Sequence, residues 1–99
     1  MNFQFLTTAL AEIREAAEFY ENRVSGLGAD FLDEVDAAME RILSFPEAWG
    51  PLGEKYRRCH LRRFPYSVIY SIENDGEILV VSVFHQSREP RSWRENEVS

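Results

Sequence analysis

Cysteine is nearly absent from this 99-residue sequence. Cys59 stands alone, so no disulfide can form within the chain and no zinc site can be built from several cysteines. Long apolar runs are missing too. No stretch reaches the roughly 18 apolar residues that a membrane-crossing helix needs. The opening Met1-Asn2-Phe3-Gln4-Phe5-Leu6 carries no basic residue and Glu12 interrupts the next segment, so no signal peptide is expected and the cytoplasm is the expected location. Glycine-rich phosphate loops are lacking: Gly26 and Gly28 fall between helical segments, not after a strand. No nucleophilic triad is visible. His60 and His85 have neither a spaced carboxylate nor a third histidine beside them, so neither a metal nor another cofactor is expected.

Positive charge is also in the minority. Eleven basic residues face seventeen acidic ones, a net charge of −6, which argues against a generic nucleic-acid binder. The imbalance is uneven. Residues 1–54 hold three basic side chains and eleven acidic ones, whereas residues 55–99 hold eight and six. Glutamates on the wet sides of helices account for the first half. They do not account for the arginines clustered in the second.

What is present suffices for one core. The sequence is 44% hydrophobic and 13% aromatic, and its length matches a single domain of roughly 100 residues, so residues 1–99 are read as one domain. Met1–Leu6 reads as a short strand, and Thr7 or Thr8 is suited to cap the next helix. From Ala9 to Val24, Ala9, Ile13, Ala16, Ala17, Tyr20 and Val24 recur at helical spacing, with Glu12, Glu15, Glu18 and Glu21 on the polar side. Ser25-Gly26-Leu27-Gly28 breaks this helix. A second runs from Ala29 to Ser44 with a stripe of Phe31, Val35, Ala38, Met39, Ile42 and Phe45. The short connection makes the two an antiparallel hairpin. Pro46 ends the pair, and Pro46–Gly53, with Trp49, reads as an ordered loop. Tyr56–Arg63, Tyr66–Glu73 and Glu77–His85 alternate with period two and form a three-stranded antiparallel meander, with Asn74-Asp75-Gly76 as a hairpin turn. The fold class is α+β. The tail is polar apart from Trp93 and Val98 and is expected to fray, with residues 94–99 flexible.

Register arithmetic then sorts the faces. If the turn pairs Glu73 with Glu77, Ile72 faces Ile78, Tyr70 faces Val80, Val68 faces Ser82 and Tyr66 faces Phe84. If Phe64-Pro65 brings Arg63 to Tyr66, Leu61 opposes Val68 and Cys59 opposes Tyr70. Both turns put the apolar residues under the helices. The other face then shows Arg58, His60 and Arg62 beside Ser67, Ile69 and Ser71, with Val81, Val83 and His85 next to these. Such a face suits a phosphate backbone or an acidic peptide. The plainer alternative is a solvated face whose arginines only aid solubility; Ile69, Val81 and Val83 weigh against it. Cys59 is expected to pack rather than react, and Trp49 and Trp93 to anchor loop and tail.

The segments Ala9-Leu10-Ala11-Glu12-Ile13-Arg14-Glu15-Ala16-Ala17-Glu18-Phe19-Tyr20, the helix-ending Pro46, Arg62-Arg63-Phe64-Pro65-Tyr66-Ser67-Val68-Ile69-Tyr70 and Val83-Phe84-His85-Gln86-Ser87-Arg88-Glu89-Pro90, with Trp93 three residues on, occur in an order that resembles the RelE/ParE toxin superfamily of type II toxin–antitoxin systems. The resemblance spans nearly the whole chain. It implies one of two activities. RelE-like members are ribosome-dependent, metal-independent mRNA endoribonucleases, whereas ParE-like plasmid-stabilisation toxins inhibit DNA gyrase.

For the first activity, Arg62 stands where a phosphate-stabilising arginine is expected. The expected lysine pair is reduced to Lys55, with Arg57 and Arg58 after it. The basic residue after the last strand falls near Gln86, with Arg88 two positions on. A terminal general-acid tyrosine is absent, and Trp93 cannot donate a proton in its place. His85, Arg62, Arg58 and Arg88 form the catalytic set this activity would use, with His85 as its acid or base. The set is incomplete and the net charge is acidic, so the resemblance leans to the ParE side. A third reading is an inactive toxin-like binding module. All three imply a cognate antitoxin bound in a hetero-oligomer, covering the helical hairpin and the sheet groove. The residues proposed to meet partners (gyrase, or ribosome and mRNA) are Arg58, His60, Arg62, His85, Arg88 and Trp93.

Overall fold

A computed structural model of the chain describes residues 2–87. The expected flexible end, 94–99, and the candidate residues Arg88 and Trp93 lie outside the described residues. In chain order the elements are β1 (Phe3–Phe5), α1 (Thr7–Arg23), α2 (Leu27–Ser44), β2 (Gly50–Leu52), β3 (Tyr56–His60), β4 (Tyr66–Ile72) and β5 (Ile78–His85). The five strands form one mixed sheet in the order β1-β5-β4-β3-β2. The helical hairpin covers one face. The α+β class and the strand–hairpin–meander order are as the sequence predicts, with two additions. The partner of β1 is β5, in parallel, with Phe3 opposite Ile78 and Phe5 opposite Val80. The loop after Pro46 contains an extra edge strand, β2, antiparallel to β3. Pro51 is tolerated there because an edge strand leaves one side without ladder bonds.

The helices bury the stripes their spacing predicts: Ala9, Ile13 and Ala16 on α1, and Phe31, Val35, Ala38, Met39 and Ile42 on α2. The stripes stop short at both ends, where Val24 and Phe45 are exposed. Neither threonine caps α1. Leu6 holds the cap position, and the buried Thr8 hydroxyl has no hydrogen-bond partner among the described residues. The start of α2 is capped from a distance instead. The Glu21 carboxylate accepts the backbone N–H of Gly26 at 3.0 Å and of Gly28 at 3.0 Å, two of the donors a helix start leaves unpaired. Gly26 takes φ +90°, which lets the chain reverse within three residues and starts α2 at Leu27 rather than Ala29. Gly28 serves close approach, because a Cβ there would sit 2.7 Å from the Ala17 carbonyl oxygen.

Between β3 and β4 the chain turns sooner than the sequence suggests. β3 ends at His60, and Cys59, not Leu61, lies opposite Val68. The shift is two residues, so the side chains within Tyr56–His60 keep their faces, but Arg62 falls beyond the strand. Leu61 and Phe64 drop under the hairpin, where Phe64 meets Tyr20 and Phe31 edge-on at 4.8 and 5.2 Å between ring centres. Glu34 of α2 accepts the Arg62 and Arg63 backbone N–H groups and fixes the turn from above.

Between β4 and β5 the register changes midway. Ile72 faces Ile78 and Tyr70 faces Val80 as predicted, but Ile69 faces Ser82, Val68 faces Val83 and Tyr66 faces His85. Val81 is the extra residue of a β-bulge. One inserted residue reverses the alternation beyond it. The predicted pairs Val68–Ser82 and Tyr66–Phe84 are therefore corrected. Val83 enters the core under the helices, while Phe84 joins Ile69 and Val81 in a small second cluster on the opposite face, with Leu6, Leu52, Tyr56 and Leu79 around it.

Candidate functional site

The bulge in β5 and the early end of β3 together divide the residues expected on one surface among three places. On the face away from the helices, Arg58 and His60 remain exposed on β3. The His60 Nδ1 lies 2.6 Å from the hydroxyl of the buried Ser67 and accepts the Gln86 side-chain amide at 3.1 Å. Desolvation, and then the positive charge of Arg58, hold the His60 pKa below the ordinary histidine range. Ile69 and Val81, read as apolar groups open to a partner, are fully buried, so this face is not an exposed apolar patch.

Arg62 lies past the end of β3, on the other side. With Arg41, Phe45 and Trp49 it lines a groove beside the end of α2. This corner is firmly tied. The Trp49 ring N–H donates to the Arg41 carbonyl, and Arg41 donates to the His60 carbonyl at 3.0 Å. Arg57 donates to the carbonyls of Glu47 and Trp49. The Tyr70 hydroxyl donates to Pro46 O at 2.6 Å, and burial pushes its pKa up to about 12. Cys59 is buried and burial raises its thiol pKa, so it packs and is a poor nucleophile, as the sequence suggests.

The bulge carries His85 to the helix side. It lines a cleft of about 410 Å³ between α1 and the outer edge of β5, together with Glu12, Glu15, Phe19, Tyr20 and Tyr66. Its ring meets Tyr66 edge-on at 5.2 Å. Its Nδ1 accepts the Ser87 backbone N–H at 3.1 Å, so the neutral ring carries its proton on Nε2.

The expected cluster of Arg58, Arg62 and His85 is thus corrected. The three stand on the open face, beside α2 and in the α1 cleft respectively, and their side chains do not converge. Among the described residues, no group of His, Cys, Asp or Glu is placed to hold a metal ion.

Sequence reasoning missed Glu12. Assigned to the wet side of α1, it reaches the sheet instead, accepting the Ser82 hydroxyl at 2.9 Å and the Val83 backbone N–H at 3.1 Å with one oxygen. The available signal was Phe19, an aromatic residue among glutamates seven positions after Glu12, where helical spacing puts both on one side.

The ParE toxin family of type II toxin–antitoxin systems (parDE) matches residues 3–90. This chain belongs to the ParE toxin family. The ParE-family fold is also seen in a solved structure of the chromosomal ParDE TA system from P. aeruginosa. That structure superposes with a TM-score of 0.65 at 16% identity, over 86% of this chain and 95% of the other. No curated protein matches the sequence. No helix among the described residues of this ParE-family chain is long and apolar enough to cross a membrane.

Proposed function

We propose that this ParE-family chain acts in the cytoplasm as the toxin of a type II pair, inhibiting DNA gyrase while free and held silent by a cognate antitoxin. The carrying observation is the family match over residues 3–90, read with the separation of Arg58, Arg62 and His85. Metal-independent cleavage of RNA needs an acid, a base and cations around one phosphate. Here the imidazole of His85 lies in a cleft with two glutamates, while Arg58 and Arg62 serve other surfaces. Among the described residues the carboxylates lining this cleft disfavour a phosphodiester, and the chain's net charge of −6 disfavours approach to RNA. A toxin that works by binding has no such requirement. Arg58, His60 and Arg62 then serve as contacts for macromolecular partners, and the antitoxin lies over the helical hairpin.

Expression from a tightly controlled promoter tests this. The expected result is a DNA-damage response with gyrase-linked plasmid breaks, and inhibition of supercoiling by the purified protein. Codon-specific transcript cuts that disappear in His85→Ala would instead establish the ribonuclease. Normal growth with neither effect would leave an inert binding module.

A further inference from the structure

Phe45 closes the apolar stripe of α2 in sequence, yet it is 67% exposed. Its backbone is fixed all the same. The Phe45 N–H donates to the Arg41 carbonyl at 3.1 Å, and the Phe45 carbonyl accepts the Ala48 N–H at 3.0 Å. A lone exposed apolar side chain is ordinary. This one shares a groove of about 510 Å³ with Trp49, Arg41, Arg62 and the carboxylate of Glu40. The half-buried Trp49 ring is pinned through its N–H to the Arg41 carbonyl at 3.2 Å. The Arg62 backbone is pinned through its N–H to Glu34 at 3.2 Å. The Arg41 guanidinium is already engaged, with the His60 carbonyl and over the Trp49 ring. The Arg62 guanidinium is exposed, and among the described residues no group accepts a hydrogen bond from it or pairs with it.

The main chain of this corner is spoken for. The carbonyls of Arg41, Phe45, Pro46, Glu47, Trp49 and His60 all accept bonds from within the chain. The neighbouring edge strand β2 has Pro51 at its centre, which has no N–H to donate. An extended segment therefore finds no ladder to join here. What the corner offers is a set of side chains held in fixed places, which suits a partner surface that is itself folded. An aromatic pair beside an arginine is the composition from which protein interfaces draw most of their binding energy.

We infer that Phe45, Trp49 and Arg62 form the contact for a folded protein partner that presents a carboxylate beside an apolar side chain. The apolar side chain packs between Phe45 and Trp49, and the carboxylate takes the Arg62 fork. Charge complementarity selects this chemistry. The groove carries two guanidinium groups against one carboxylate, in a chain whose net charge is −6. An acidic surface is repelled by the molecule as a whole and admitted at this corner, which fixes how it docks. The inference rests on the functional reading above: the partner is the toxin's target, gyrase, and the antitoxin has its own place over the helical hairpin.

Inhibition of gyrase supercoiling by the purified full-length chain tests this, with affinity for the antitoxin encoded beside it measured on the same preparations. Arg62→Glu and Phe45→Ala are each expected to raise the concentration for half-inhibition about ten-fold or more. Both replace exposed side chains, so both should keep the wild-type Tm and bind the antitoxin within about two-fold of wild type. Glu18→Ala, an exposed change on α1, should leave inhibition within about two-fold. Full inhibition by either corner variant overturns the contact and leaves the gyrase reading standing. Weakened antitoxin binding with inhibition retained gives the corner to the antitoxin and likewise overturns the inference. A wild-type chain that does not inhibit gyrase overturns the functional reading and this inference together.

Discussion

From Ile78 to Val80, β5 lies between two strands, β1 outside and β4 inside; from Val83 to His85 it has β4 inside and the Glu12 carboxylate outside. Among the described residues the same strand is thus a finished part of the sheet at one end and an edge at the other, and the bulge at Val81 marks the change. Before the bulge the strand serves the core alone. After it, one residue (Val83) still serves the core while the next residue of that phase (His85) lines a cleft. A single inserted residue lets an apolar strand supply both, because it swings the side chains beyond it by half a period.

The comparison breaks most visibly at Val83. In an unbulged strand Val83 would face outward and tolerate a charge. As the sheet stands, Val83→Lys buries an ammonium group under α1 and should cost about 3 kcal/mol or more, read from urea unfolding. A loss below about 0.5 kcal/mol, the range of a surface change, would mean that the strand runs without the bulge.

Glu12→Ala sharpens the same contrast at the edge. It removes the acceptor of both the Ser82 hydroxyl and the Val83 N–H, for an expected loss of about 1–2 kcal/mol. Amide exchange should quicken at Val83 and stay unchanged at Val80, the paired half.

Tyr70→Phe probes the finished end of the sheet. It deletes the bond to Pro46 O and should cost about 0.5–1.5 kcal/mol. Because the folded-state pKa of Tyr70 is raised to about 12, its contribution is full below the ordinary tyrosine range and is lost as the pH rises through the folded value. The wild type should therefore lose stability at alkaline pH more steeply than Tyr70→Phe.

Glu21→Gln makes the smallest change, at the helix turn far from β5. Two backbone N–H groups hold the Glu21 pKa below the ordinary carboxylate range. Its contribution is present above that range and is lost as the pH falls through the lowered value. The variant should show a slightly lower Tm at pH 7 and a flatter Tm profile toward pH 3. An unchanged profile would show that the two bonds contribute nothing measurable.

How much of the molecule is readable from its sequence depends on what each local pattern can decide. The helices were legible because Ile13, Ala16, Phe31, Val35 and Ile42 repeat at one spacing and leave one solution. The β4–β5 hairpin was legible from Asn74-Asp75-Gly76, where Gly76 takes φ +84°. The misplaced β3–β4 turn left Arg58 and His60 on their predicted face, because an error of two residues preserves the alternation, but it put Arg62 past the strand, beside α2. The bulge was illegible for a definite reason. Val80-Val81-Ser82-Val83 offers valine in both phases, so either alternation satisfies it, and an error of one residue sends His85 to the wrong side. The candidate surface failed on two steps, the bulge that moved His85 and the early end of β3 that moved Arg62. Glu12 was missed because a carboxylate looks polar in sequence whether it meets water or a strand's N–H, and Phe19 on the same side of the helix was the one local sign against water.

One feature of the topology governs the order in which the molecule can be made. β1 lies against β5, so the first strand waits for the last. A ribosome that has synthesised both helices and β2 to β4 has still not supplied the ladder on which Phe3 and Phe5 settle, nor the Ser82 and Val83 groups that Glu12 holds. Contacts spanning this much of the chain form late. A polypeptide released early from translation therefore lacks the sheet's outer half, along with the His85 cleft, and completion of the fold coincides with completion of the strand that carries it.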